Sequence, residues 1–442
     1  MKSALELLGL ASPPPPPKST MLGFEVDYCS VYVCFVVLFY CIEQYLRVRK
    51  AAALSKGYDA KRLKGIAEKK EYEDAAAYTS EKNKFGFISD TIGITMTMAM
   101  LIVAPLLWTR SAELSDRSSF GLYATIFFFT LISTAISFVL GLPLSMYSTF
   151  VIEEKYGFNN YTVKSYFSDK IKGELVNLVI GTAMSCGMVK ILQITGPNAW
   201  FFLWIFLTGF VFFFNLAYPV LIAPLFNTFT PLEEGDVRDG IESLIKKTGL
   251  NCKKVFMVDG SKQSKHSNAY VAGMLGTKRI VVYDTLIKDL DGSIDKINAV
   301  VGHEIGHSIM NHNWVLLGAA LVNLFIMFFT FGKFQNDHNI VMSFGYDQAN
   351  EFLILTCFMN VYGTVIMPLW GVITNAMTRR LEFDADQYSA KLGMDIRPAL
   401  IDISKSNKGD LNPDWLNSMW HHSHPPLLER LDAVTEFLKK KK

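Results

Sequence analysis

The sequence is poor in charged residues and lacks the cysteine pattern of a small secreted domain. Charged residues make up only 19% of the 442 residues, and 43 basic side chains nearly balance 41 acidic ones. The formal net charge of +2 therefore gives no indication of a polyanionic partner, and we expect no nucleic-acid binding. The six cysteines form no CxxC pair and lie mostly in apolar runs, which excludes a disulfide scaffold and predicts reduced, buried thiols.

Apolar and aromatic residues are abundant instead. Half of the residues are hydrophobic, 13% are aromatic, and phenylalanine alone occurs 33 times, a balance that fits contact with lipid better than a solvated globular surface. Crossing a bilayer as a helix takes roughly 20 predominantly apolar residues. The sequence therefore predicts a multi-pass membrane protein, with candidate spans at residues 28–46, 91–108, 120–150, 175–195, 199–226, 314–332 and 352–378.

Lysine and arginine collect in alternate connections between these stretches. Eleven of them follow the first stretch, whereas only Arg110 and Arg117 follow the second. Because cytosolic loops carry the excess of basic residues, this pattern predicts an N-terminus outside the cytosol and a C-terminus within it. The glycosylation sequon Asn160-Tyr161-Thr162 would then lie in the cytosol and stay unmodified.

The order of proline-rich, apolar and polar stretches predicts how the chain is organised. The run Pro13–Pro17 favours extended, unpacked chain, so we expect residues 1–24 to be a disordered leader. Two polar segments share the predicted cytosolic side with the C-terminus. The predicted regions are the leader, 25–226 with spans one to five, 227–313 as a catalytic segment, 314–378 with spans six and seven, and 379–442 as a C-terminal segment.

The first polar segment contains the sequence His303-Glu304-Ile305-Gly306-His307 in a stretch with helical apolar spacing. Two histidines at i and i+4 project from one helix face, so both ring nitrogens can reach one ion at roughly 2.0 to 2.1 Å. Glu304 can then stand beside the water to be activated, as a general base. Chance would give such an HExxH sequence on the order of once in 150 similar chains. The alternative is that these are surface histidines on an ordinary helix.

A catalytic zinc site keeps three protein ligands and one open position, so a further ligand must come from elsewhere. Glu382 and Asp386 are also i and i+4 on a predicted helix, just past the seventh stretch. One carboxylate can bind the ion while the other accepts a hydrogen bond from the distal N–H of a ligating histidine. Taken alone, this acidic cluster would more often be a solvated helix end.

Several short motifs follow one another in order along the chain. They are FVIEEKYGFN at 150–159, FNTFTPLEEGD at 226–236, SNAYVAG at 267–273, KRIVVYDTL at 278–286, HEIGH at 303–307, RRLEFDAD at 379–386 and HPPLLERL at 424–431. From about residue 25 to 435 the chain resembles the CAAX prenyl protease 1 family, the Ste24-type integral-membrane metalloproteases. The resemblance implies an all-α polytopic protein, with seven long transmembrane helices forming a barrel around a large chamber and a small cytosolic α+β zinc metalloprotease portion.

The resemblance also implies roles for individual residues. His303, His307 and Glu382 would bind one Zn²⁺ per chain, Glu304 would be the general base, and Asp386 would support the site. Asn268 and Ala269 match an edge-strand element that such enzymes pair with extended substrate, although a turn-forming Asn268 is the alternative. His424 and Arg430 would suit a carbonyl or a C-terminal carboxylate, whereas the neighbouring His421 and His422 favour a merely solvated cluster.

The substrates implied by the resemblance are prenylated proteins ending in C-a-a-X, cut after the prenyl cysteine, with a second upstream cut in some cases. The implied location is the endoplasmic reticulum membrane, with the inner nuclear membrane as a second one. Lys439–Lys442 looks like a dilysine retrieval signal, although a solubilising basic tail is the alternative. Two other functions stay open, an M48-type protease for stalled or damaged membrane proteins and a non-catalytic membrane scaffold. The sequence leaves any oligomeric partner undetermined.

Overall fold

The computed structural model describes residues 19–21, 24–273 and 278–441. The leader predicted over residues 1–24 lies mostly outside the described residues. Its described part belongs to a short antiparallel hairpin of β1 (Ser19–Met21) and β2 (Phe24–Val26).

Helices make up most of the described chain, because the apolar stretches are long and few glycines or prolines interrupt them. Short π-helical turns at Ser148–Glu153 and Tyr218–Ile222 extend two of the helices. The α-helices are α1 (Tyr28–Leu54), α2 (Ala60–Leu63), α3 (Lys69–Ser115), α4 (Leu122–Tyr147), α5 (Val163–Thr195), α6 (Ala199–Ala217), α7 (Asp236–Thr248), α8 (Asp284–Asp289), α9 (Ile294–Ile309), α10 (His312–Phe334), α11 (Asn339–Ser343), α12 (Glu351–Val365), α13 (Met367–Lys391), α14 (Arg397–Ser406), α15 (Trp415–His421) and α16 (Leu427–Lys441).

Five helical stretches of the described chain are long and apolar enough to cross a membrane, and the pair α12 and α13 makes a sixth. These stretches cover the predicted spans except for residues 120–121 and 226, and they confirm a multi-pass membrane protein. Two predicted spans fall in the single stretch Val163–Leu225, because only the tight turn Gly196–Asn198 separates α5 from α6. The pair α12 and α13 bends by 52° just before Pro368, which cannot donate a backbone hydrogen bond within the helix.

The membrane helices share an aromatic core. Phe328 and Phe331 of α10 are fully buried, and the Phe331 ring lies 5.2 Å from that of Phe358 on α12. Gly187 of α5 faces Phe206 of α6, where a Cβ would come within 2.8 Å of the ring, so α5 and α6 pack side by side.

A small mixed sheet lies in the segment between α6 and α9. Its strands are β3 (Phe229–Pro231), β4 (Cys252–Val258), β5 (Ala269–Ala272) and β6 (Lys278–Tyr283), in the order β3-β4-β6-β5. Strands β4 and β6 are parallel, and the other neighbours are antiparallel. Strand β5 is therefore an edge strand, with one side unpaired among the described strands.

Helix α9 packs against this sheet through one apolar face. Ile297, Val301 and Ile305 recur every four residues, are fully buried, and share a core with Ile280 and Val282 of β6. Burying each such side chain contributes about 1.5 to 3 kcal/mol. The opposite face of α9, which carries the histidines, is thereby fixed in orientation.

Helices α9 and α13 cross closely at small residues. The Ser389 hydroxyl of α13 donates a hydrogen bond to the Ala299 carbonyl of α9 at 2.9 Å. A Cβ on Gly306 would lie 3.1 Å from the Tyr388 Cβ, which is tighter than ordinary van der Waals contact. Glycine at position 306 thus lets the helix that carries the histidines approach the helix that carries Glu382.

Replacing Gly306 by valine tests this close crossing. The added methyl groups must push Tyr388 away, so we expect Gly306→Val to destabilise the protein by about 1 to 3 kcal/mol. Thermal unfolding of the purified protein in detergent measures the effect. Gly318→Val is the matched control, because Gly318 has no heavy atom within 4 Å of its added Cβ. Equal unfolding temperatures for the two variants would contradict the crossing.

Candidate metal centre

Two helices bring three donor side chains to one point. His303 and His307 lie on α9, and their Nε2 atoms are 3.1 Å apart. Glu382 of α13 places one carboxylate oxygen 3.4 Å from the Nε2 atom of His303 and the other 3.2 Å from that of His307. Their ligand atoms form the one such group of His, Cys, Asp and Glu found within the described part of the chain.

These distances fit a single zinc ion. Tetrahedral ligands with bonds of 2.0 to 2.1 Å lie about 3.3 Å from one another, close to the three separations measured here. Two imidazoles and one carboxylate are also the ligand set of one class of catalytic zinc sites, in which the fourth position stays open. Zinc is therefore the cofactor, and the donor geometry matches it.

The donor side chain of His303 is oriented by an ion pair behind it. Its Nδ1 atom lies 2.9 Å from a carboxylate oxygen of Asp386, which is one turn beyond Glu382 on α13. Arg430 of α16 donates two hydrogen bonds to the same carboxylate, at 2.8 and 2.6 Å. The chain Arg430–Asp386–His303 fixes the ring so that Nε2 faces the donor cluster.

The donor side chain of His307 has a different partner, which the sequence did not reveal. Its Nδ1 atom lies 2.9 Å from the Nδ1 atom of the buried His312. Asn311 takes a left-handed conformation with φ of 58° and turns the chain, so His312 begins α10 and points back at His307. The sequence signal that could have indicated this contact is an asparagine at the end of the helix, followed by a histidine.

Glu304 follows the first ligand and has a partly exposed side chain. Burial raises the pKa of its carboxyl above the ordinary value, while the neighbouring His303 and His307 oppose that shift. A carboxylate of raised basicity beside the donor cluster suits the transfer of protons.

His424 and Arg430 occupy different positions relative to the donors. The Nδ1 atom of His424 lies 2.8 Å from a Glu382 oxygen, and 65% of its side chain is exposed. Arg430 is mostly buried, with its Nε and Nη2 atoms on Asp386 and Nη2 3.8 Å from Glu382. His424 thus faces the open side of the site, whereas Arg430 lies behind it.

Asn268 and Ala269 lie at the start of the edge strand β5, which contacts α9. The Asn268 carbonyl accepts a hydrogen bond from the Tyr283 amide at 3.1 Å. The Asn268 side-chain oxygen accepts one from the amide of the next residue, Ala269, at 2.8 Å. Their part in substrate binding stays a prediction.

A loop from the membrane region holds the segment that precedes β5, and the sequence did not predict this contact. The Phe158 ring stacks on His266 with centroids 4.2 Å apart, and the Phe158 carbonyl accepts a hydrogen bond from the Lys265 amide at 3.2 Å. Farther back in the same motif, Glu153 accepts a hydrogen bond from the Tyr78 hydroxyl of α3 at 2.8 Å. The FVIEEKYGFN motif therefore connects a membrane helix to the edge strand.

Comparisons with known proteins agree with this geometry. A family model described as the CAAX prenyl protease N-terminal region, with five membrane helices, matches residues 49–228, and the peptidase family M48 model matches residues 231–438. The CAAX prenyl protease 1 homolog of Arabidopsis thaliana is 36% identical over 92% of this chain and 98% of its own length. The CAAX prenyl protease 1 of Saccharomyces cerevisiae is 31% identical over 92% and 95%, respectively. The crystal structure of S. mikatae Ste24p superimposes with a TM-score of 0.86 at 30% identity, over 95% of this chain and all of that one.

Removing the carboxylate behind His303 should weaken metal binding. In Asp386→Asn the amide no longer carries the charge that pairs with Arg430 and orients the ring, so we expect zinc affinity to fall by about 10- to 100-fold. Competition with a chromogenic chelator measures the affinity directly. Asp384→Asn removes the same charge from the same helix without removing a bond to a histidine, and should bind zinc as the wild type does. Similar losses in both variants would contradict the orienting role of Asp386.

Proposed function

The chain belongs to the CAAX prenyl protease 1 family of M48 peptidases, and from this membership we propose that it removes the C-terminal aaX tripeptide from prenylated CaaX proteins. It is a zinc metalloprotease, and we assign its residue roles from the contacts around the donors. The observation that carries the proposal is the arrangement of His303, His307 and Glu382 at zinc-ligand spacing, with Glu304 beside them.

When bound, zinc supplies Lewis-acid chemistry, which polarises the scissile carbonyl and makes water more acidic. Glu304 accepts a proton from the attacking water as its oxygen bonds to the carbonyl carbon. When the carbon–nitrogen bond breaks, Glu304 delivers that proton to the leaving amine. The products are a new C-terminal carboxyl group and a free tripeptide, and no covalent intermediate with the chain is needed.

The edge strand β5 is suited to align the substrate. Its free side offers backbone N–H and C=O groups to an extended peptide, and it runs beside α9. A peptide paired with Ala269–Ala272 would lie along the helix that carries His303 and Glu304. Asn268 would then set the start of this strand through its bond to the Ala269 amide.

His424 and Arg430 receive separate roles in this proposal. The exposed His424 ring is placed to donate a hydrogen bond to the substrate carbonyl oxygen as negative charge develops there. Arg430 acts as a positioning residue through Asp386, since its Nε and Nη2 atoms both bond to that carboxylate.

The membrane part fits substrates that are themselves anchored in lipid, because tethering raises their concentration near the site. We take Val163–Leu225 as two spans, α5 and α6, and the bent pair α12 and α13 as one. The protein then has seven spans, which form a barrel around a chamber, and the catalytic side of the chamber faces the cytosol. Basic connections between spans support this orientation, and the C-terminal lysines support residence in the endoplasmic reticulum.

The two alternative functions have weaker support. A quality-control protease of the M48 type is not favoured by the similarity to CAAX prenyl proteases along nearly the whole chain. A non-catalytic scaffold is not favoured by the match of the peptidase family M48 model to residues 231–438.

Glu304→Gln separates catalysis from metal binding. The amide cannot accept the proton, so we expect kcat to fall by about 100- to 10,000-fold while one zinc per chain is retained. Release of the tripeptide from a farnesylated CaaX peptide measures kcat, and elemental analysis measures zinc. Glu234→Gln, at an exposed position, is the matched control. Undiminished cleavage by Glu304→Gln would contradict the assigned base, and no chelator-sensitive cleavage by the wild type would contradict the substrate class.

The stacking of His266 on Phe158 should affect substrate binding more than chemistry. His266→Ala removes the stack that holds the chain before β5, so we expect KM for the peptide to rise about three- to tenfold with kcat changed less than twofold. His266→Phe keeps two stacked rings and should keep the wild-type KM. A fall in kcat at constant KM, or equal behaviour of the two variants, would mean that the stack does not position the edge strand.

A further inference from the structure

A groove lies between two membrane helices and the FVIEEKYGFN motif at residues 150–159, and its lining includes none of the metal donors. It has a volume of about 830 Å³ and runs between α3, the end of α4 and the π-helical turn that follows. The Phe85 ring of α3 stacks on the Tyr147 ring of α4 with centroids 5.2 Å apart, which ties the two walls together. We call it the interfacial groove.

The wall formed by α3 changes from polar to apolar along its length. Ala77, Glu81, Lys84 and Ile88 line the groove with spacings of four, three and four residues, so they share one helix face over about three turns. The charged Glu81 and Lys84 precede Phe85 and Ile88 along the chain. Ile88 is 57% exposed and precedes the predicted span at residues 91–108. The apolar end of this wall therefore points toward the hydrocarbon of the bilayer.

The opposite wall changes in the same direction. Pro143 and Leu144 lie in the last turns of α4, and Tyr147 ends that helix with 47% of its surface exposed. Lys155 follows after the π-helical turn and lies at the polar end. Both walls thus present hydrocarbon at the membrane end and ammonium groups at the end predicted to face the cytosol.

The polar end carries a surplus positive charge. Glu81 accepts hydrogen bonds from the Lys155 ammonium at 2.6 Å and from the Tyr156 hydroxyl at 2.8 Å. Lys84 is exposed, and within the described part of the chain it has no carboxylate within salt-bridge distance. Two lysines against one glutamate leave a charge of +1, and the hydroxyls of Ser80 and Tyr147 add hydrogen-bond donors.

We propose that the interfacial groove binds one anionic glycerophospholipid of the cytosolic leaflet. Its phosphate would lie at Lys84 and Lys155, and one acyl chain would lie along Phe85, Ile88 and Leu144. A zwitterionic lipid offers the same hydrocarbon without net charge, so the preference comes from the lysines. The cytosolic leaflet is also where anionic lipids are concentrated.

Native mass spectrometry of the full chain in detergent, with added dioleoyl phosphatidylserine or dioleoyl phosphatidylcholine, tests the proposal. We expect one phosphatidylserine to bind the wild type about fivefold more tightly than phosphatidylcholine. Lys84→Ala should abolish this preference, and Ile88→Ser should weaken the binding of both lipids alike. Lys70→Ala is the matched control, because Lys70 is an exposed lysine on the same helix outside the groove, and it should retain the preference.

Three outcomes would overturn the proposal. The wild type would bind both lipids equally, or Lys84→Ala would keep the preference for phosphatidylserine. A farnesylated peptide that displaces the bound phosphatidylserine from the wild type, but not from Ile88→Ser, would make the groove a site for the prenyl chain of substrate.

Discussion

Two imidazole nitrogens and the two oxygens of one carboxylate lie 3.1 to 3.4 Å apart in a largely buried site, and this arrangement is stable only if positive charge satisfies them. They come from two helices far apart in the sequence. The separation therefore depends on how closely α9 and α13 approach, which glycine at position 306 and the hydrogen bond from Ser389 to Ala299 set. A larger side chain at the crossing would part the two histidines from Glu382.

This constraint joins the two polar segments into one site. The segment before α10 supplies the histidines and the edge strand, and the segment after α12 supplies Glu382 and Asp386. Helix α16 completes the arrangement, because its Arg430 pairs with the buried Asp386 carboxylate, which would be an uncompensated charge without that partner. Folding of the C-terminal segment is thus coupled to the metal site. This coupling explains why a buried ion pair, which adds little stability by itself, occurs here.

Much of the site could be predicted from the sequence because its chemistry follows helical spacing. His303 and His307, and likewise Glu382 and Asp386, are four residues apart, and that spacing places each pair on one face. His312 could not be found in this way, because a left-handed Asn311 ends the helical register before it.

The rest of the arrangement depends on contacts that local patterns do not encode. The stacking of Phe158 on His266 joins residues more than 100 positions apart, and only the tertiary fold brings them together. The apolar stretches located the membrane helices, but hydrophobicity alone did not show that α5 and α6 pack side by side, with Gly187 against the Phe206 ring.

X-ray absorption at the zinc edge of the purified protein tests the central claim most directly, because it reports the identity and distance of the ligand atoms. The account predicts one zinc per chain, with two imidazole nitrogens and carboxylate or water oxygen at about 2.0 to 2.1 Å and no sulfur in the coordination sphere. A zinc–sulfur distance of about 2.3 Å, or a protein that takes up no stoichiometric zinc, would contradict it.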